Sequence, residues 1–223
     1  GRWERSLSGP DWRLWLDKEA EWRNDELFLP PADLSRIPVN PPSCGWERFE
    51  YVPAKKVRVP GTVEEHYWGA NGNPIGIAGD VRGVSWWSAK FDLPAELKGK
   101  RIVLDFECAN LRAEVFVNRK LAGYDVVVDT PFRVDATGAA VFSGQNRLDI
   151  RITDPVGNFS WPAHVTFPWG KYRIPAVRGF GGITGDILLR ALDAVAINDI
   201  YVQNRPEITE ARVFVTLENT TER

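Results

Sequence analysis

Short segments in which apolar and polar residues alternate recur along this chain. Every second residue is apolar in three of them, 101–107, 112–118 and 147–153. This is the period of a β-strand that buries one face of an antiparallel sheet. The side chains predicted to form the core are Leu104, Phe106, Val115, Val117, Leu148, Ile150 and Ile152. The intervening Asp149 and Arg151 are predicted to face solvent.

Turn-forming residues separate these segments and support an all-β fold. Residues 97–100, 118–120 and 143–146 combine Gly, Asn, Lys and Ser in the manner of tight turns. Residues 86–93 and 186–190 favour two further strands, and residues 12–22 fit either a strand or a helix. Many short strands joined in this way are typical of a β-sandwich or jelly roll.

Two segments are predicted to be long loops. Residues 30–60 are rich in proline, which has no N–H to donate to a sheet, so we expect an ordered wrap across the surface. Residues 154–182 are rich in Trp, Pro and Gly. A loop of this length inside a compact domain is usually functional.

A new pattern of strand-like segments begins after Leu192. Residues 194–202 and 211–217 are strand-like and are separated by a turn. Because two strands do not form a stable domain by themselves, residues 193–223 are predicted to begin a second β-sandwich. Residues 1–192 are predicted to form the first domain, a jelly roll.

Charge and composition exclude several classes of function. The net charge is −2 and no long run of Lys or Arg occurs, so neither nucleic acid nor an anionic membrane is an expected partner. No apolar stretch approaches the roughly 20 residues that span a bilayer. Cys44 and Cys108 match no metal-ligand spacing; two buried thiols are the preferred interpretation, and a disulfide stays open. We predict no metal or cofactor.

No catalytic motif occurs, and no catalytic residue is predicted. The run 179–185 is rich in glycine, but Thr184 stands where a dinucleotide-binding loop requires glycine. Glu64, Glu65 and His66 are interpreted as a solvated surface run, because neighbours on a strand point to opposite faces. The ten tryptophans are unusual. Their rings either fill a core or pack against the C–H faces of sugars.

Seven short segments, in this order, resemble the N-terminal region of glycoside hydrolase family 2. They are residues 57–63 (VRVPGTV), 86–94 (WWSAKFDLP), 99–106 (GKRIVLDF), 113–123 (AEVFVNRKLAG), 131–135 (PFRVD), 144–148 (GQNRL) and 182–187 (GITGDI). Arg119 and Gly185 depart from the family pattern, which has Gly and Arg at these places. The tail 194–223 is similar to the start of the family's immunoglobulin-like domain.

The resemblance implies a galactose-binding-type jelly roll without catalytic residues of its own. It implies carbohydrate as a partner and a catalytic (β/α)8 barrel further along the same polypeptide. In the family, an acidic residue near the position of Asp154 helps to form the sugar and cation site. Further candidate sugar contacts in the long loop are Asn158, Trp161, Trp169 and Arg178.

Other interpretations of the sequence stay open. The loop's tryptophans would equally fasten it to its own sandwich, with Asp154 capping a turn. The whole chain would also fit a free-standing carbohydrate-binding module or lectin, or a purely structural adhesion sandwich. The resemblance and the tryptophan content lead us to expect a periplasmic or secreted protein that acts on β-galactosides, β-glucuronides or β-mannosides.

Overall fold

A computed structural model describes residues 3–20, 28, 32–67, 83–154, 166–169, 172–175, 181–207 and 209–221. Its strands are β1 (Trp3–Ser6), β2 (Gly9–Asp17), β3 (Lys55–Val59), β4 (Gly61–Thr62), β5 (Gly83–Asp92), β6 (Arg101–Phe106), β7 (Arg112–Val117), β8 (Lys120–Asp125), β9 (Phe132–Asp135), β10 (Gln145–Asp154), β11 (Thr166–Trp169), β12 (Tyr172–Pro175), β13 (Gly182–Ile183), β14 (Ile187–Leu192), β15 (Val195–Asn204) and β16 (Ala211–Asn219). The helical segments are α1 (Val63–His66) and the 3-10 turns Leu34–Arg36, Phe49–Tyr51 and Ala95–Leu97. The predicted all-β class is confirmed. No helix in these ranges is both long and apolar enough to cross a membrane.

Two antiparallel sheets face each other across one core. The four-stranded sheet has the order β1-β14-β6-β9, and the six-stranded sheet has the order β3-β2-β5-β10-β7-β8. All seven predicted core side chains lie between them, each no more than 1% exposed. Trp12 and Trp87 join this cluster from the six-stranded sheet, and Ile187 joins it from the other sheet. Residues 12–22, which fitted a strand or a helix, contribute the second half of β2.

The outer face of the six-stranded sheet is also covered, and this overturns the prediction that Asp149 and Arg151 face solvent. Their exposures are 0% and 2%. The proline-rich segment crosses this face, as predicted, and packs Trp46 and Phe49 against Trp86, with ring centroids 5.5 and 5.2 Å away. A strand can therefore be buried on both faces even where its sequence alternates.

The charged residues under this cover form hydrogen-bonded pairs. Nη1 of Arg151 donates to Oε2 of Glu114 at 2.7 Å, and Nδ2 of Asn40 donates to the other carboxylate oxygen at 3.0 Å. Asp149 accepts from Oγ of Ser88 at 2.6 Å and from Nε of Arg147 at 2.8 Å. Such pairing is what permits charges to lie in an interior, since an unpaired buried charge costs several kcal/mol.

The turn between β7 and β8 contains Arg119, one of the departures from the family pattern. Asn118 and Arg119 both have positive φ, 51° and 67°, as a two-residue type I′ hairpin requires. The side chain of Asn118 donates to the carbonyl of Ala139 and to Oδ1 of Asn146, both at 2.9 Å, so this residue also anchors the neighbouring loop. Arg119 adopts the conformation that glycine adopts most readily.

The long segment 154–182 is not loop throughout. Its described part contains the hairpin of β11 and β12, with Trp169 paired to Tyr172. A second hairpin, β15–β16, follows the sandwich, and seven of its apolar side chains are more than 50% exposed on this chain: Val195, Ile197, Ile200, Tyr201, Val202, Val213 and Leu217. The predicted boundary after residue 192 stays a prediction. Cys44 and Cys108 are free thiols, half-buried rather than buried.

Candidate functional site

One end of the sandwich brings together the end of β10, the start of β5 and the short pair β4–β13. Asp154, the last residue of β10, pairs with Gly83, the first residue of β5. Its side chain continues the core-facing row of Ile150 and Ile152, since alternate residues share a face. Asp154 is 8% exposed. The row of apolar side chains therefore ends in a buried carboxylate.

Gly181 lies directly against this carboxylate. A Cβ placed on Gly181 would be 3.3 Å from Oδ2 of Asp154 and 3.8 Å from the carbonyl oxygen of Asn110. The next residue, Gly182, has φ +142° and exchanges two backbone hydrogen bonds with Asn110, each 2.9 Å long. A Cβ on Gly182 would lie 2.6 Å from the carbonyl oxygen of Gly61, which no side chain tolerates. Glycine therefore fixes the chain beside Asp154.

Glu64 reaches the same place from α1, and its prediction as a solvated residue is wrong. The run 64–66 belongs to a helical turn instead of a strand, and Glu64 is only 5% exposed. The backbone N–H of Gly181 donates to Oε1 of Glu64 at 3.4 Å, while the N–H of Val63 donates to the carbonyl of Gly181 at 2.8 Å. Glu64 and Asp154 thus contact Gly181 from two sides.

The sequence carried a signal for this helical turn. Thr62 and Glu65 form a capping box, in which each side chain accepts from the other residue's N–H at 3.3 Å. The pattern Thr-x-x-Glu is a known start of a helix. It places the intervening Glu64 on the inner side of the turn, which a strand-based interpretation could not do.

The structure gives a position for only one of the predicted site side chains. Asp154 lies at the end of the sandwich, buried, beside Gly181. Asn158, Trp161 and Arg178 lie outside the described residues. Trp169 ends β11, and its side chain also lies outside what is described. Whether these four meet Asp154 stays a prediction.

The chemistry of this end is that of a hydrogen-bond acceptor. A carboxylate accepts from two hydroxyl groups at once, which suits the vicinal hydroxyls of a sugar. Among the described residues, no group of three or more His, Cys, Asp or Glu side chains is placed to hold a metal ion. Burial raises the pKa of Asp125, the last residue of β8, above its ordinary value.

Comparison with known proteins adds information at the level of fold. No protein-family model matches the chain. A β-glucuronidase of Formosa agariphila is 24% identical over 128 residues, which are 57% of this chain and 13% of that protein. A β-galactosidase of Thermoanaerobacter pseudethanolicus is 26% identical over 139 residues, which are 61% of this chain and 18% of that protein. This chain therefore matches only a small part of either relative.

Solved structures match nearly the whole chain. A glycosyl hydrolase family 2 member from Bacteroides cellulosilyticus covers 97% of it, with TM-score 0.61 and 17% identity. A β-glucuronidase of Ruminococcus gnavus covers 98% of it, with TM-score 0.66 and 19% identity. The chain has the fold of a region of family 2 glycoside hydrolases. It spans 25% and 33% of those two structures, so the match is to one part of each of those longer proteins.

Proposed function

We propose that this chain is a non-catalytic sugar-binding domain of a family 2 glycoside hydrolase. Its role would be to shape the active site of a (β/α)8 barrel elsewhere in the same polypeptide. The family 2 fold supports this proposal, because the chain covers only a quarter to a third of the solved enzymes that it resembles. The matches to a β-glucuronidase and a β-galactosidase point to a glycosidase as the parent protein.

The observation that carries the proposal is the buried carboxylate of Asp154 beside Gly181. The carboxylate lies at the end of the sandwich, and Gly181 has no Cβ to occupy the space 3.3 Å from its Oδ2, so the position suits a ligand hydroxyl that donates to Asp154. In the sequence, the segment 155–180 begins directly after Asp154 and ends directly before Gly181. We assign the further sugar contacts to its Asn158, Trp161, Trp169 and Arg178.

The substrate class follows from the same relatives. We propose that the parent enzyme removes a terminal β-linked galactose, glucuronic acid or mannose unit, and that the protein is periplasmic or secreted. Carbohydrate and the barrel of the same polypeptide are the proposed partners. We expect the complete precursor to carry an export signal, and a precursor without one would contradict the proposed compartment.

The test compares two proteins on three substrates. The 223-residue chain and the product of its complete reading frame are assayed on aryl β-galactoside, β-glucuronide and β-mannoside. We expect the longer product to hydrolyse at least one substrate and the isolated chain to hydrolyse none. Hydrolysis that co-purifies with the isolated chain would show that it is catalytic. Sugar binding without any hydrolase activity in the complete product would favour a free-standing carbohydrate-binding module.

A further inference from the structure

A second candidate site lies on the four-stranded sheet, at the ends of β1, β6, β9 and β14. A groove of about 640 Å³ opens there, and Asn198 of β15 forms part of its wall. We propose that this groove binds a neutral hexopyranose unit of a glycan, independently of Asp154. Its volume lies within the roughly 300–1,000 Å³ typical of small-molecule sites.

The apolar part of the groove is a rigid aromatic surface. The ring of Phe132 stacks on that of Phe106 with a centroid distance of 4.6 Å and an interplanar angle of 3°. Phe106 is only 1% exposed and belongs to the core, whereas Phe132 is half-buried and lines the groove. The core therefore fixes the plane of the Phe132 ring before any ligand arrives. A flat, immobile ring is what the C–H face of a pyranose packs against.

Acceptors for hydroxyl groups stand beside this ring. Glu107 and Asp186 are exposed and line the groove. Their mutual position is set by two hydrogen bonds, from the N–H of Glu107 to the carbonyl of Asp186 at 2.9 Å and from the N–H of Asp186 to Oε2 of Glu107 at 3.1 Å. These bonds hold the carboxylate of Glu107 against the backbone of Asp186, whose own carboxylate is exposed in the same groove, and both carboxylates can accept from hydroxyls of one sugar ring.

A β-bulge supplies the amide on the opposite wall. The pairing of β15 with β16 shifts register between Ile197 and Asp199, so Asn198 is the extra residue. Bulges redirect a side chain out of the regular alternation. Here Oδ1 of Asn198 accepts from Nη1 of Arg133 at 3.2 Å, which orients the amide across the groove. An amide both donates and accepts, as a sugar hydroxyl requires.

The charge of the groove selects a neutral ligand. Arg133 and Arg190 both pair with Asp105, through contacts of 2.5 Å to its two oxygens. Their positive charge is thus directed toward a protein carboxylate. Three carboxylates and two guanidinium groups line the groove, so it carries no excess of positive charge that would attract a uronate or a phosphate.

The test titrates the 223-residue chain with β-linked tetrasaccharides of glucose, galactose and mannose, and with tetragalacturonate as the anionic control. We expect saturable binding of at least one neutral probe by calorimetry and none of the anionic probe. Asp186→Asn should raise Kd about tenfold, because it weakens a hydrogen bond to a charged acceptor. Phe132→Leu should raise Kd by a similar factor while keeping the apolar packing on Phe106.

The matched control is Asp154→Asn, at the other candidate site. It should leave groove binding unchanged, which separates this proposal from the proposed function. Absence of saturable binding by any neutral probe would overturn the proposal. So would binding that persists in both groove variants, or binding that Asp154→Asn alone removes.

Discussion

Replacing Glu114 by glutamine tests how the covered face of the six-stranded sheet is stabilised. Glu114 is 0% exposed and lies between two buried arginines. Its carboxylate is 2.7 Å from Nη1 of Arg151 and 3.5 Å from Nη2 of Arg112. Glu114→Gln removes the negative charge and leaves two guanidinium groups in the interior without it. Breaking a buried ion pair by changing one partner costs about 3–5 kcal/mol, so we expect a loss of this size in the free energy of unfolding.

Urea unfolding followed by tryptophan fluorescence measures this loss, because buried Trp86 and half-buried Trp46 lie on the same covered face. The matched control is Glu50→Gln. Glu50 and Lys90 form a pair 3.4 Å apart with side chains that are 50% and 54% exposed. Such a surface pair contributes about 0–1 kcal/mol. If Glu114→Gln costs no more than the control, the buried pairing does not stabilise this face and the argument is wrong.

Three further predictions concern stability. Ile150→Ala should lower the free energy of unfolding by about 2–5 kcal/mol through lost burial and a residual cavity; a loss below about 1 kcal/mol in urea unfolding would contradict its place in the core. Arg119→Gly should raise the thermal midpoint, since it relieves roughly 1 kcal/mol of positive-φ strain while giving up only an exposed contact of 2.6 Å with Glu47; an unchanged or lower midpoint would contradict the turn assignment. Burial raises the pKa of Asp149 above 3.8, so the native state binds its proton more tightly than the unfolded state and this residue's contribution to stability declines as pH rises above about 4. Asp149→Asn should therefore gain stability relative to the wild type as pH rises above about 4; a difference that stays constant with pH would refute this sign.

The sequence was informative where one residue's environment depends on its near neighbours. Alternation predicted which side chains of β6, β7 and β10 enter the core, because a strand with period two can bury its apolar row in only one way. The turn at Asn118 was predictable for the same reason, because it depends on residues adjacent in sequence. The burial of Asp149 and Arg151 was not predictable, because it depends on a covering segment and on partners such as Asn40, which is 74 residues from Glu114 along the chain.

Two glycines near the candidate site are also explained by the structure and not by the sequence. Gly185 stands where the family pattern has Arg, and the sequence offers no reason for it. In the structure, a Cβ on Gly185 would lie 2.6 Å from the backbone nitrogen of Cys108, so the packing of two loops requires glycine. At Gly181 the constraint is weaker, since a Cβ would lie 3.3 Å from Oδ2 of Asp154. Such constraints arise between segments distant in sequence and leave no local pattern.

At the candidate site, the sugar contact that the resemblance implies for Asp154 stays a prediction, whereas local reasoning placed Glu64 wrongly. The capping box of Thr62 and Glu65 was the missed signal, since a helical turn directs Glu64 inward. Asn110 contributes through its backbone and carries no motif. The roles of Asn158, Trp161, Trp169 and Arg178 stay predictions.

The most direct test of the proposed function is the kinetics of Asp154→Ala in the product of the complete reading frame. We expect kcat/KM on the preferred aryl β-glycoside to fall by about tenfold or more, as the loss of a hydrogen bond to a charged group implies, while the thermal midpoint stays within a few degrees of the wild type. A wild-type kcat/KM in this variant would contradict the claim that this end of the sandwich forms part of a sugar site.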